Sequence, residues 1–361
     1  MITTLAPATH RLRSGLSALA GAAATPLVPA DYLDLLAPLR SRSALRARIV
    51  AVRQETRAAA TIELRPGPGW RPHVPGQYLR IGVDVDGVRQ WRAYSLTSRP
   101  DEADGTISVT VTAIEDGIVS GHLVRHARAG EIVHLEPAAG DFTLPATPPD
   151  RVLFVTAGSG LTPVLGMLRS RLDDLPDVVV VHSSPTAQDV IAGAELRSLA
   201  ADGRIRLIER HTATDGRLDA VQLADLVRDL DRRQTWACGP AGLLDALEER
   251  FAADERLDQL HIERFRPAII EAGEGGTVTF RGSGRETETD GSTSLLDAGE
   301  AAGVLMPSGC RMGICFGCVV PLRSGAVRDL RTGDVTVAAE GDDVRVQTCI
   351  NTAAAACELD L

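Results

Sequence analysis

Cys310-Arg-Met-Gly-Ile-Cys315-Phe-Gly-Cys318 is followed, thirty-one positions after its last cysteine, by Cys349. A C-x4-C-x2-C…C spacing is that of plant-type [2Fe-2S] ligation. Each ferric iron of such a cluster takes a tetrahedral set of soft donors, two bridging sulfides and two thiolates, so four cysteines are needed. Gly309, Gly313 and Gly317 let the loop wrap tightly and aim backbone amides at sulfur. A four-cysteine zinc site, the main alternative, usually shows two C-x2-C pairs; buried inert thiols are the other. Of the remaining cysteines, Cys238 stands far upstream, and Cys357 lies outside the motif and reads as a plain buried or surface thiol. Clustered cysteines in a chain without an export signal point to metal rather than disulfides.

Upstream of this segment, strands resume at Thr277–Arg281 after a Gly- and Glu-rich stretch, Pro267 to Gly276. That places a small mixed α+β domain, of β-grasp type, at 277–361 and a linker at 267–276. From 148 to 266 the texture differs. Val152–Thr156, Val178–His182 and Gln234–Cys238 are continuous apolar runs with helical patterns between them, one from Pro163 to Leu172. Such alternation predicts a doubly wound α/β domain with a parallel sheet covered on both faces. From 43 to 147, alternating stretches at Arg46–Val52, Thr61–Leu64, Tyr78–Val83 and Ser108–Ile114 are broken by Gly, Pro and Asp turns, as in an antiparallel β-barrel. Residues 1–42 form an Ala-rich N-terminal arm. Its Arg11 and Arg13 followed by Ser14–Thr25 are too short and too Leu-poor for a span or an export signal.

Two of these domains carry further motifs. Arg92-Ala-Tyr94-Ser95-Leu96-Thr97 ends a barrel strand. An Arg can clamp a pyrophosphate in two-point fashion, a Tyr offers a flat face, and a Ser can hydrogen-bond a ring nitrogen. Gly158-Ser-Gly160-Leu-Thr162-Pro163 joins a buried strand to a helix, where phosphate meets backbone amides and the helix dipole. Cys238-Gly239-Pro240 lies at a second strand end before a helix.

In this order the motifs resemble the ferredoxin-NADP reductase superfamily, in the subgroup with a fused C-terminal ferredoxin domain that serves oxygenases and fatty-acid desaturases. The resemblance covers roughly residues 43 to 361. It implies that Arg92 holds the flavin phosphate, Tyr94 packs on the isoalloxazine and Ser95 lies near N5. Gly117-Ile-Val119-Ser120 resembles the family's G-x-x-S helix start, which receives the FAD pyrophosphate. The G-R-G-G-S element of FMN-dependent members is absent, so FAD is implied. Cys238 is placed beside the nicotinamide C4, with Gly239 leaving room for the ring. Leu260-His-Ile-Glu263-Arg-Phe265 resembles the family's I-H-x-E-x-F ending, which sets Glu263 either near the flavin or in a structural salt bridge. After the second parallel strand, His182-Ser183-Ser184-Pro185 offers no acid for a ribose 2′-OH. The serines and Arg217 suit a 2′-phosphate, so NADPH is preferred with NADH open.

Hydride carries two electrons and the cluster accepts one, so a flavin must stand between them. The expected enzyme takes hydride from NAD(P)H onto FAD and passes single electrons through the cluster to an iron-containing partner. The loop Pro307–Cys318, followed by Gly325–Leu330, resembles that of reductases of membrane fatty-acyl desaturases; a ring-hydroxylating or epoxidising oxygenase is the alternative. A free-standing flavin reductase needs no fused ferredoxin, and an iron-sulfur redox sensor needs a nucleic-acid or partner module. The net charge of −10, spread along the chain, disfavours nucleic acid. The sequence holds no lysine, which excludes Schiff-base chemistry. A cytoplasmic protein without direct membrane insertion is expected.

Overall fold

The computed structural model describes residues 37–40, 44–85, 87–115, 117–265 and 274–361. The arm read over 1–42 and the linker over 267–276 fall mostly outside them. Strands β1 (Arg46–Gln54), β2 (Ala59–Pro66), β3 (Tyr78–Val85), β4 (Val88–Ser95), β5 (Ile107–Thr112) and β6 (Ile132–Leu135) form an antiparallel sheet in the order β4-β3-β6-β1-β2-β5. A bridge between Leu96 and Val109 joins the two edges and closes it into a barrel. Alternation decides the inside: Ile62, Leu64, Leu79, Ile81, Val109 and Val111 are buried in one core. Helix α1 (Ile118–Arg125) covers it through Val119 and Leu123.

Strands β7 (Arg151–Ala157), β8 (Asp177–Ser184), β9 (Arg206–His211), β10 (Gln234–Cys238) and β11 (Leu260–Glu263) follow, all parallel, in the order β11-β10-β7-β8-β9. Their continuous apolar runs serve two cores at once. Val152 and Phe154 face α2 (Leu161–Arg171) and α3 (Gly193–Ala201), while Leu153 and Val155 face α5 (Ala220–Leu226) and α6 (Ala241–Ala253), the four-residue α4 (Thr212–Asp215) lying between α3 and α5. Chain order reverses between β7 and β10, the switch point at which such sheets bind ligands beyond the strands' carboxyl ends.

Strands β12 (Gly276–Phe280), β13 (Arg285–Thr289), β14 (Val319–Asp329), β15 (Val335–Ala338), β16 (Val344–Gln347) and β17 (Asn351–Leu359) build a third, mixed sheet, with β12 and β17 parallel and α7 (Leu295–Ala301) packed on it. Ser294 caps α7 by accepting from the Asp297 amide. Cys357 is buried in this core, and burial pushes its thiol up to about 11, so the buried alternative holds for it.

Barrel and parallel sheet meet along α2. A Cβ on Gly166 would stand 2.5 Å from the Leu96 carbonyl oxygen, so the helix approaches the end of β4 where only glycine fits. Arg169 donates to the Thr97 carbonyl at 2.7 Å and pairs with Glu195. The Trp236 indole donates to the Thr143 carbonyl at 3.2 Å. These contacts bring the Arg92–Thr97 motif beside the strand ends of the second sheet.

Candidate redox site

The cysteine loop lies between α7 and β14. Its three sulfurs and that of Cys349, between β16 and β17, form two pairs: Cys310 with Cys315, and Cys318 with Cys349, whose Sγ atoms are 3.2 Å apart. A binuclear cluster needs this pairwise arrangement, two thiolates on each iron, rather than one tetrahedral nest. Backbone amides turn inward: Cys310 N–H donates to Cys315 Sγ at 3.1 Å, and Met312 and Cys315 N–H to Cys310 Sγ at 3.4 Å. Aiming them takes an uncommon backbone, with Arg311 and Phe316 at φ 60° and 56° and Gly313 at 75°. Arg311 is anchored to Asp297 at 2.8 Å and to Glu300, both on α7. Hydrogen bonds from the partner thiol and the loop amides hold Cys310 well below the ordinary thiol range, at about 5, and the Cys349 thiol does the same for Cys318, at about 6. In each pair the same hydrogen bond that lowers one thiol raises the other, Cys315 beside Cys310 and Cys349 beside Cys318; two pairs of soft donors, inside a loop without space for a Cβ at Gly309, fit the cluster.

Ser95 Oγ and Glu263 Oε2 are among the buried side-chain atoms that have no hydrogen-bond partner. Ser95 lies at the end of β4 opposite Tyr78 of β3. Burial raises the Tyr94 hydroxyl well above its ordinary range. Burial also lowers the Arg92 guanidinium, with Arg311 adding repulsion, so a phosphate there would relieve two neighbouring cations. Gly117 precedes α1 without a side-chain cap, and a Cβ there would meet Ser120 Oγ at 2.3 Å. Ser120 Oγ instead accepts from the Ile114 amide at 3.3 Å and draws that loop onto the helix start. These residues fit FAD. Leu96 and Thr97 stand further in: Leu96 is in the barrel core, its amide on Gln77, and Thr97 Oγ1 shares a hydrogen bond with Ser108 at 2.9 Å.

The nicotinamide motifs converge at the switch point. A Cβ on Gly160 would lie 2.1 Å from the Cys238 carbonyl oxygen, so the end of β7 and the end of β10 touch through that glycine. Gly158 has φ 55°. Thr162 Oγ1 donates to the Ser159 carbonyl at 2.9 Å, Pro163 lies in the first turn of α2, and α2 starts without a side-chain cap, leaving its amides for phosphate. Gly239 packs on Ala157, and Pro240 is the N-cap of α6. Cys238 is fully buried and paired in register with Glu263. Burial, then the Glu263 charge, pushes its thiol well up. Burial alone pushes Glu263 up to about 8. Among the described residues Glu263 has no ion pair.

The structure puts Ser183 and Ser184 at the buried end of β8, with Ser184 Oγ donating to the Thr186 carbonyl at 2.9 Å. Arg217 is exposed, between α4 and α5. A cation the sequence reading missed, Arg210 of β9, lies opposite Ser183 in the ladder, and His211 lies opposite Ser184. β9 reads Arg-Leu-Ile-Glu-Arg-His, too charged to stand out as a strand, so its register with the serines has no signal in the sequence. Tyr78 and Arg80 were missed likewise, because only the pairing of β3 with β4 brings them beside the motif.

Site and fold together define an NAD(P)H-dependent oxidoreductase with FAD and a [2Fe-2S] cluster. The oxidoreductase FAD-binding domain family matches residues 72–144, the oxidoreductase NAD-binding domain family 154–249 and the 2Fe-2S iron-sulfur cluster binding domain family 278–357. The chain is 48% identical to an NADPH oxidoreductase of Mycobacterium tuberculosis (98% of this chain, 93% of that one). It is 32% identical to the ferredoxin reductase component of a 3-ketosteroid-9-alpha-monooxygenase from the same species (77% and 82%). The structure of phthalate dioxygenase reductase covers 90% of this chain and 99% of its own at TM-score 0.62 and 21% identity, a likeness of fold. The chain belongs to the ferredoxin-NADP reductase superfamily, in its branch with a fused C-terminal [2Fe-2S] domain. Among the described residues no helix is long and apolar enough to cross a membrane.

Proposed function

We propose that this chain is the reductase component of an oxygen-activating iron enzyme, drawing on NADPH. The observation that carries it is the seating of the cluster loop on the flavin barrel: a Cβ on Gly309 would stand 2.4 Å from Cys315 Sγ and 2.7 Å from Nη2 of Arg80, on the strand that pairs with the Arg92–Ser95 motif. When bound, FAD accepts hydride and releases its electrons singly. The chain's own work is placement. Arg92 and the start of α1 hold the phosphates of FAD, Tyr94 backs its ring, and Ser95 Oγ donates to it. Gly158, Gly160, Thr162 and the start of α2 hold the coenzyme phosphates, while Cys238 and Gly239 leave room for the nicotinamide. Burial pushes the Glu263 carboxyl up to about 8, which favours its neutral form beside the place the flavin ring would take. Ser183, Ser184 and Arg210 suit a 2′-phosphate, and the relative sharing 48% identity is named an NADPH oxidoreductase. Domain limits of 43–147, 148–266 and 277–361 accompany this reading.

The acceptor docks where Leu305, Ile314 and Phe316 are exposed around the cluster loop. An oxygenase component is favoured, because relatives are named as reductase components of 3-ketosteroid and glycine betaine monooxygenases. A membrane fatty-acyl desaturase is the second reading, carried by the resemblance of Pro307–Cys318 and Gly325–Leu330.

Anaerobic mixing of the reconstituted protein with NADPH should bleach the flavin first and the cluster bands second. A cluster that stays oxidised beside fully reduced flavin overturns the relay. Turnover with an oxygenase component, compared with turnover with desaturase membranes, separates the two acceptors.

A further inference from the structure

The outward row of β3 carries Tyr78, Arg80 and Gly82, side chains at spacing two on one face. Gly82 lacks a Cβ because the Trp91 indole lies across it, 2.9 Å from where that atom would be. The Arg80 guanidinium stands over that indole at 5.3 Å from the ring centroid. Its Nη1 donates to both oxygens of Glu136, at 2.7 and 2.8 Å. So held, Arg80 is 7% exposed, an unusual depth for an arginine on a barrel wall. Its Nη2 points away from Glu136 toward the third domain, where a Cβ on Gly309 would stand 2.7 Å from it and 2.4 Å from Cys315 Sγ. Gly309 therefore lets a barrel cation and a cluster thiol approach the same point of the loop. The ion pair is lopsided: Glu136 is 40% exposed at its side chain and screened by water, while the arginine end is dry. Tyr78, two residues earlier on this face, lies within electrostatic reach of Cys310, Cys315, Glu263 and Arg80.

We propose that Arg80, clamped by Glu136 and Trp91, is a positioning residue that seats the cluster loop on the flavin domain at Gly309 and holds the cluster at a potential high enough to draw electrons from the flavin. The inference rests on the relay proposed above. The step it serves moves one electron from the reduced flavin to the oxidised cluster, converting one Fe(III) to Fe(II). That makes the cluster more negative by one charge, and a fixed, dry cation nearby favours it. The second electron follows once the first has left for the acceptor.

The test compares wild type with Arg80→Gln, Arg80→Lys and, as a control, Arg89→Gln, which breaks the exposed Asp84 pair at the far end of the same hairpin. Redox titration with electron paramagnetic resonance reads the cluster potential, and anaerobic stopped flow reads the two phases. Arg80→Gln should shift the potential negative and slow the flavin-to-cluster phase several-fold while the NADPH-to-flavin phase is unchanged. Arg80→Lys should hold a near wild-type potential, and Arg89→Gln should match wild type in both. If Arg80→Gln does not retain its cluster, Arg80→Met keeps the aliphatic stem without charge and should show the same negative shift. A wild-type potential in the uncharged variant, or a lysine variant shifted as far as the glutamine one, overturns the proposal. Failure of the relay itself would show separately, as a wild-type cluster that NADPH never reduces.

Discussion

At the scale of single residues, Glu263 ties stability to pH in an unusual direction. Its folded value of about 8 lies above the ordinary 4.5, so between these values the folded chain binds more protons than the unfolded one. Stability from this group is therefore complete below about 4.5 and declines as pH rises toward about 8. Glu263→Gln keeps the shape and removes the titration. The variant's melting temperature should gain on wild type as pH rises through that window and stop gaining above it; a difference that does not change with pH would mean that the carboxyl is ionised throughout. Gly160 is a second such residue. In Gly160→Ala the new methyl meets the Cys238 carbonyl and drives the ends of β7 and β10 apart. A cost of about 1–3 kcal/mol is expected in denaturant unfolding. NADPH binding should weaken with it, because the same turn holds the coenzyme phosphates.

At the scale of elements, the parallel sheet is fastened at its amino end by Arg233, just before β10. The buried guanidinium pairs with Asp177 at 2.9 Å and Asp229 at 2.8 Å and donates to the Val152 carbonyl. Arg233→Ala should cost about 1.5–3 kcal/mol, the range for hydrogen bonds to charged groups. The Arg233 hydrogen bond holds the Asp229 carboxyl below its ordinary 3.8. That contribution is present above 3.8 and lost as pH falls, so the gap between variant and wild type should narrow in acid; urea melts at neutral and acidic pH measure it. Elements also divide what was legible in the sequence from what was not. Val152–Thr156 and Val178–His182 declare buried strands because β-branched runs covered on both faces need no polar alternation. The cysteine loop is legible because four soft ligands at fixed spacing have few other uses. Arg210 and Arg80 were not legible: each acquires its neighbours only through pairing across a sheet, and a charged residue in a strand looks like any solvated one. Leu96 and Thr97, named from their place in a motif, have fully buried side chains, Leu96 in the barrel core and Thr97 on Ser108.

At the scale of the whole molecule, the chain holds separate apolar cores for the barrel, the two faces of the parallel sheet and the cluster domain. Electrons must cross between bodies that are packed independently. Removing the cluster should therefore disable the outlet without disabling the inlet. Cys349→Ala takes one thiolate from the Cys318 pair, and metal binding in a small domain contributes to its folding. Calorimetry of this variant should show an early transition for the cluster domain, below a main transition close to that of the wild-type barrel and parallel sheet. Flavin should remain bound and be bleached by NADPH at the wild-type rate, while the cluster bands and electron delivery to an external acceptor are lost. A single transition shifted as a whole would mean that the seam at Arg80 and Gly309 couples the bodies into one folding unit, and slowed flavin reduction would mean that the cluster domain shapes the nicotinamide site as well as the exit.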